Sequence, residues 1–260
     1  MAFKTSDIQV AADLAVFSFR YSQSKQMVGD VLFPRFRVPR STGIYYTFNS
    51  DHLRREDTIR ADGAEARTME ISLGTQGTYS CLEYATKFAM ANKHLENADP
   101  GVNFPQSITQ GLTDKLDLDR EYRAITLATS ASVTQSATLA AAHQWSNYSS
   151  SDADPLEDIR TAKTTIWKAT GQTATDFFCN YEVACVLAAN PFIKALRQSW
   201  DSKYLLDMGL PPALAGLKVH ISGGITNSAA QGQTASLGAL LTDTCIIAAI
   251  NPNPGLLSVT

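Results

Sequence analysis

Hydrophobic residues recur at helical spacing after a stretch rich in serine and aspartate, in the segment WSNYSSSDADPLEDIRTAKTTIWKATG. Asp154 stands where an N-cap belongs, Pro155 follows at the first helical position, and Glu157 completes the pattern of a capping box. Gly171 provides the left-handed stop that ends many helices. The pattern predicts a capped amphipathic helix between these residues. Its apolar face is formed by Ile159, Ala162, Ile166 and Ala169.

Strand-like and helix-like segments alternate over the rest of the second half. Short apolar runs predict three strands, at residues 176–180, 217–225 and 243–250. A helix over residues 181–199 is predicted to break at Pro191, and a helix with a turn is predicted over residues 205–216. Because strands and helices interleave, this half is predicted to be a mixed α/β unit.

The longest helical pattern covers residues 107–130, which would span about 35 Å as a helix. Two apolar stripes offset by a slip support it: Ile108, Leu112 and Leu116, then Leu118, Tyr122 and Ile125. Asp117 and Asp119 have basic neighbours, which indicates a solvated face and not a catalytic carboxylate pair. A shorter helix is predicted over residues 81–98, in the segment CLEYATKFAMANKHLENA.

The first 40 residues mix apolar patches with polar breaks, and Pro34 and Pro39 exclude a regular helix at their end. Large apolar side chains alternate there with arginines, which indicates an extended arm that packs on something. Two strand-like runs follow, GIYYTFNSDHLRRED and ARTMEISLGTQGTYS, and together predict a long hairpin. Its tip, residues 50–67, carries mixed charges, which suit contacts with a neighbouring subunit.

Length and charge narrow the function classes. The chain has 260 residues, 44% of them hydrophobic, which is enough for one large domain or two small ones. Its net charge is -3, whereas a protein that grips nucleic acid by the phosphates is usually basic. The four cysteines and four histidines show no zinc-binding spacing, and the cysteines are predicted to be buried free thiols. No apolar run approaches the roughly 18 residues of a membrane span.

Motifs of enzyme chemistry are absent from the sequence. There is no phosphate-binding Gly-Lys loop, no HExxH zinc motif and no GxSxG nucleophile elbow. Asp152 and Asp154 begin a calcium-loop pattern, but Leu156 and Glu157 break it and no glycine bends it, so the capped helix is the preferred interpretation. We therefore assign no catalytic residue, no cofactor and no metal. A nucleophilic cysteine paired with a distant histidine stays open.

Three segments, in this order, resemble tailed-bacteriophage major capsid proteins, which have the Hong Kong 97-like coat fold. They are VGDVLFPRFRVPRSTGIYYTFNSDHLRRED…ADGAEA in residues 28–66, the serine-rich helix segment in residues 145–171, and CNYEVACVLAANPFIKALR in residues 179–197. No single motif is diagnostic, because none is catalytic. The order of arm, hairpin, long helix, capped helix and α/β unit carries the resemblance, which covers most of the chain.

The resemblance implies an α+β fold with a defined layout. Its parts would be an N-terminal arm in residues 1–40, an extended hairpin loop in 41–76, a peripheral domain in 77–153 with its spine helix in 107–130, and an axial domain in 154–250. Residues 251–260 would return toward the peripheral domain, where family members usually continue through further strands, so the chain is expected to be a short or truncated member.

The resemblance also implies a virion protein that is not an enzyme. It would be assembled in the host bacterial cytoplasm into pentamers and hexamers of an icosahedral shell around double-stranded DNA, which it would hold only non-specifically. Scaffolding, portal and decoration proteins would be its partners, and it would not bind a membrane. The residues predicted to lie at subunit interfaces are Phe33, Phe36, Arg37, Tyr45, Tyr46, Arg54 and Arg55. No lysine lies between Lys25 and Lys87, so the hairpin cannot supply the isopeptide lysine that some members of this fold use.

Two alternatives remain at this stage. One is a protein-shell compartment of the same fold, which would hold enzyme cargo in place of a genome. The other is a soluble cytoplasmic α/β enzyme with an unrecognised cysteine or carboxylate site. The enzyme hypothesis predicts a compact monomer with one deep polar pocket and no long exposed arm.

Overall fold

The computed structural model describes residues 27–46, 55, 58–66, 76–89, 104–130, 136–197, 209–230 and 232–252. Within these residues the chain is a mixed α+β protein, as predicted. The α-helices are α1 (Gly29–Leu32), α2 (Phe104–Ala128), α3 (Pro155–Thr170), α4 (Tyr181–Ala189) and α5 (Pro191–Arg197). The strands are β1 (Thr42–Tyr46), β2 (Gln76–Ser80), β3 (Asp176–Asn180), β4 (Ala213–Leu214), β5 (Leu217–Ser222), β6 (Ile225–Asn227), β7 (Leu237–Ala239) and β8 (Ile246–Ala248). No described helix is both long enough and apolar enough to cross a membrane.

A four-stranded sheet with the order β4-β5-β3-β8 organises the second half. Strand β3 runs parallel to β5 and antiparallel to β8, and β4 runs antiparallel to β5. Side chains alternate across a strand, so Phe177 and Phe178 enter different hydrophobic clusters, and both are fully buried. The larger cluster includes Ile159 of α3 and Leu187 of α4. Phe178 belongs to the smaller cluster, which the arm completes.

Helix α3 begins and ends as the sequence predicts. The Asp154 carboxylate accepts a hydrogen bond from the Leu156 amide at 2.9 Å, and Gly171 ends the helix with a positive φ of 72°. The predicted capping box is not seen among the described hydrogen bonds, because the Glu157 carboxylate accepts from the Arg160 guanidinium at 3.5 Å and not from the Asp154 amide. The N-cap is therefore confirmed.

The serine- and aspartate-rich stretch before α3 has a structural role. The Trp145 indole donates a hydrogen bond to the Asp158 carboxylate at 2.7 Å. The buried Asn190 amide donates to the carbonyl oxygens of Trp145 and Ala153, at 3.2 and 3.3 Å. Asn190 is also the residue at which α4 ends, directly before Pro191. The Asn190 bonds hold this stretch against the junction of α4 and α5. The sequence predicts a helix break at this junction, at Pro191.

The buried stripe of the long helix α2 differs from the predicted one. Tyr122 is exposed, whereas Glu121 and Ile125 are buried. The buried side therefore runs through Leu118, Glu121, Ile125 and Ala128, at the spacing of one helix face. An apolar stripe was predicted, and a carboxylate occupies its centre.

Two other expectations need correction, and a third is tested only in part. Residues 81–89 form no helix: all nine are exposed and follow β2 without regular structure. Of the helix and turn predicted over residues 205–216, residues 205–208 lie outside the described residues, and the turn is found at Ala215 and Gly216, after the short strand β4. Of the four free cysteines, Cys179 is buried as expected, but Cys81 and Cys185 are exposed.

Candidate functional site

The described part of the arm, residues 27–40, is anchored to the body of the protein by a single helical turn. This turn is α1. Val28, its N-cap residue, and Leu32, its last residue, are buried against Phe178 of β3. The partly buried side chains around them are Ala128, Ile246, Ala248 and Ile250. The arm is therefore not extended throughout: its turn closes the smaller cluster.

A buried carboxylate on the long helix α2 accepts hydrogen bonds from the backbone amides of the same turn. The Val28 amide donates to Oε1 of Glu121 at 2.9 Å, and the Gly29 amide donates to Oε2 at 2.6 Å. Glu121 is only 2% exposed. A Cβ atom at Gly29 would lie 2.5 Å from Oε2, so this close approach requires glycine. The prediction of site residues missed Glu121, although an acid on the buried face of a helix was the available signal.

A surface ion-pair network surrounds this anchor. Arg35 forms a two-point contact with the Asp30 carboxylate, at 2.9 and 2.8 Å. Arg120 of α2 pairs with the same carboxylate. Because Asp30 and Arg35 are exposed, these pairs contribute little to stability.

The predicted interface residues of the arm follow this anchor. Phe33 and Phe36 are 39% and 46% exposed, and Arg37 is exposed as well. Their side chains do not enter either hydrophobic cluster. The structure thus leaves two phenylalanines at the surface of the described arm, beside the basic residues Arg35 and Arg37.

The predicted hairpin is confirmed at its base, where β1 and β2 pair antiparallel. Tyr45 lies opposite Gly77 and Tyr79 lies opposite Gly43, and each tyrosine ring covers the facing glycine. Tyr46 is half-buried, on the other face of the hairpin. The rings of Tyr45 and Tyr79 therefore have a structural role within the hairpin, besides any contact they make outside it.

The tip of the hairpin is described only in part. Residues 58–66 and Arg55 are exposed, with a turn at Gly63. Arg54 lies outside the described residues, as do Met69, Ile71 and Leu73 of the predicted second strand. The described interface candidates thus lie on separate segments: Phe33, Phe36 and Arg37 on the arm, Tyr45 and Tyr46 on opposite faces of the hairpin base, and Arg55 at its tip.

A third exposed apolar segment was not predicted. Residues 81–89, which we call the ribbon, follow β2 without regular structure, and Leu82 and Phe88 are 72% and 60% exposed. The Tyr84 ring lies beneath the Arg123 guanidinium of α2, 3.6 Å from it. Arg123 in turn pairs with Asp119 at 3.0 Å.

No group of three potential metal ligands occurs within the described ranges. Burial raises the pKa of the Cys179 thiol to about 12. Burial, and secondarily the neighbouring Cys179, raises the pKa of Cys245 further. A thiol in such surroundings is a poor nucleophile, because only the thiolate attacks.

One histidine pairs with a carboxylate beneath the arm. His220 lies 2.8 Å from Oδ1 of Asp176 and stacks on the Phe178 ring, with the centroids 4.8 Å apart. The other Asp176 oxygen accepts a hydrogen bond from Thr175 at 2.6 Å. Thr175 also accepts the amide of Ile250 at 3.1 Å. These contacts connect β3, β5 and the segment after β8 on the side of the sheet where Phe178 packs against the arm.

Comparison with known proteins identifies a shared fold. No family model matches the chain, and no curated protein matches it. A crystal structure of a phage-related protein from Bordetella bronchiseptica RB50 superposes with a TM-score of 0.64. The match covers 93% of this chain and 77% of that protein, at 19% sequence identity. The two proteins therefore share an architecture along most of this chain.

Proposed function

We propose that the chain is the major capsid protein of a tailed bacteriophage, with a Hong Kong 97-like fold. In this role it assembles into the icosahedral head shell that encloses double-stranded DNA. The observation that carries the proposal is the likeness in fold to a phage-related protein over 93% of the chain. The order of segments in the sequence supports the same family independently.

The distribution of exposed apolar side chains supports a role in assembly. Large apolar residues are exposed on the arm, on the hairpin and on the ribbon of residues 81–89. They include Phe33, Phe36, Ile44, Leu82 and Phe88. Contiguous apolar surface is unfavourable in water and commonly marks interaction sites. Contacts that repeat from subunit to subunit around closed rings would cover these segments in every copy.

The charge of the chain fits a container. A net charge of -3 disfavours tight binding to phosphates, so the shell would hold its DNA without gripping it. The role is structural and not catalytic, and the particle belongs to the virion after assembly in the bacterial cytoplasm. Scaffolding, portal and decoration proteins are the partners that such a shell needs. Its cohesion comes from non-covalent contacts or from a separate decoration protein, because the hairpin contains no lysine for an isopeptide bond.

Size-exclusion chromatography with light scattering, followed by negative-stain electron microscopy, tests the proposal on the expressed full chain. We expect rings or closed shells in the high-mass fraction. A monomer at every concentration, with an arm and a hairpin that resist protease, would contradict assembly. The contents of the shells separate a virion coat from a cargo-holding compartment, since only the latter would retain an enzyme in place of DNA.

A further inference from the structure

The buried Glu121 carboxylate has an unusual set of partners. Its described contacts are the two amides of the arm, and in the described part of the chain no cationic side chain pairs with it. A buried carboxylate is costly unless its oxygens accept hydrogen bonds, and charge-assisted hydrogen bonds are the strong ones. The carboxylate and the arm turn therefore depend on each other: neither is satisfied in the fold without the other.

The contacts that hold the turn form a small and separate unit. Val28 and Leu32 fill the smaller cluster, while the core around Ile159 and Leu187 includes none of the described arm residues 27–40. Segments with few buried contacts open locally at lower free energy than the core of the same protein. Residues 27–33 can therefore leave the surface while the sheet and helices α3 and α4 stay folded.

We propose that Glu121 is a latch, a positioning residue that holds residues 27–33 in place and thereby sets where Phe33 and Phe36 leave the body of the protein. The effect on assembly rests on the proposed function. The latch itself does not, because the two hydrogen bonds lie within one chain. When the latch is closed, the phenylalanines emerge from one defined point beside Arg35. When it is open, they lose that fixed position.

Two variants open the latch in different ways. Glu121→Gln keeps the shape of the side chain, but it replaces one accepting oxygen with an NH₂ group that faces a backbone donor. Gly29→Ala keeps the carboxylate and places a Cβ atom 2.5 Å from Oε2, which pushes the turn away. The matched controls are Glu157→Gln, at an exposed carboxylate on α3, and Gly238→Ala, where an added Cβ meets nothing within 4 Å.

Amide hydrogen exchange of the unassembled full-length protein tests the latch. In both latch variants we expect exchange in residues 28–33 to accelerate by about tenfold or more, because Glu121→Gln removes one of the two hydrogen bonds together with the negative charge, and Gly29→Ala displaces the turn from the carboxylate. Exchange in β3 and β5 should stay as in the wild type, and neither control should change the arm. Unchanged exchange in residues 28–33 in both variants would overturn the latch. Equal acceleration in the arm and in β3 would also overturn it, because Glu121 would then support the whole core.

Assembly measured by light scattering tests the positioning role. We expect both latch variants to form closed shells more slowly than either control. A loosened arm with wild-type assembly would overturn the positioning role. If the wild type itself does not assemble, the proposed function fails, while hydrogen exchange still decides whether Glu121 holds the arm.

Discussion

At the scale of single residues, Ala215 carries a backbone conformation that favours glycine. It has a φ of 50°, and with Gly216 it forms the two-residue loop between β4 and β5. Such a loop needs positive φ at both positions, and an L side chain is strained there. The Lys163 ammonium donates to the Ala215 carbonyl at 2.7 Å, which helps to hold the loop in place.

We expect Ala215→Gly to raise the free energy of unfolding by about 0.5–1 kcal/mol, because relief of strain exceeds the added chain entropy. Urea unfolding measures this difference. Ala189→Gly, at the end of helix α4, is the control and should destabilise the protein, since glycine is a poor helix residue. A loss of stability at position 215 would contradict the assigned turn.

The buried Cys179 thiol makes stability fall at high pH. Its pKa is about 12 in the folded protein, compared with an ordinary value of 9.0. A raised thiol pKa means that the unfolded chain loses this proton first, so the stabilisation is complete below 9.0 and declines as the pH rises toward 12. Between about pH 8 and about pH 10, we expect the wild type to lose about 1 kcal/mol more than Cys179→Ala. Urea unfolding at both pH values checks this. An equal effect of Cys185→Ala, at an exposed thiol, would refute the assignment.

Glu121 illustrates what a sequence can and cannot predict at this scale. Its spacing from Leu118 and Ile125 puts it on the buried side of α2, which is visible in the sequence. Its partners are backbone amides of Val28 and Gly29, more than 90 residues earlier, and no local pattern indicates them. Only the tertiary placement of the arm turns a helix carboxylate into an anchor.

At the scale of elements, helix α3 tests the N-cap against the calcium-loop alternative. We expect Asp154→Ala to lower the free energy of unfolding by about 1 kcal/mol, because the Leu156 amide loses its acceptor. Asp152→Ala, at an exposed carboxylate outside the helix, should have a much smaller effect. Thermal unfolding with and without added Ca²⁺ completes the test. A rise in melting temperature on adding calcium, lost in both variants, would favour the metal site.

The hairpin depends on glycines that lie under tyrosine rings. A Cβ atom at position 77 would come within 2.4 Å of the Tyr45 ring, so Gly77→Ala must displace that ring or separate the strands. We expect amide exchange in Thr42–Tyr46 to become about tenfold faster in this variant. Gly238→Ala, in the strand β7 with open space around it, should leave the hairpin unchanged. Unaltered exchange in Gly77→Ala would show that the pairing does not require the glycine.

Elements with strong local signals were predictable, and those set by distant contacts were not. Asp154, Pro155 and Gly171 mark the ends of α3 by backbone chemistry alone, and Pro191 breaks its helix for the same reason. The side chains of residues 81–89 are compatible with a helix, yet this segment has no regular secondary structure. Tyr84 in this segment contacts Arg123 of α2, and the local sequence pattern of residues 81–89 does not indicate this distant contact.

At the scale of the whole molecule, the central sheet has one face packed within the second half and another closed by the arm. The first face contains Phe177 and packs against the helices α3 and α4, and none of the described arm residues 27–40 belongs to its cluster. The second face contains Phe178 and depends on Val28 and Leu32. In such a chain the arm turn can detach from the smaller cluster while the larger cluster stays packed. This arrangement suits a subunit whose arm contacts its neighbours during assembly.

The final prediction separates the stability of the subunit from assembly. Phe36 is 46% exposed and belongs to neither cluster, so Phe36→Ala should change the free energy of unfolding by less than about 0.5 kcal/mol. The same change should strongly reduce shell formation, since each subunit of a closed shell would lose the contact and the losses add over the particle. Trp167→Ala on α3, an exposed aromatic residue outside the predicted interface, is the control. Light scattering and electron microscopy measure assembly, and urea unfolding measures stability. Equal loss of assembly in both variants would mean that the arm has no special place in the interface, whereas normal shells from Phe36→Ala would remove Phe36 from it.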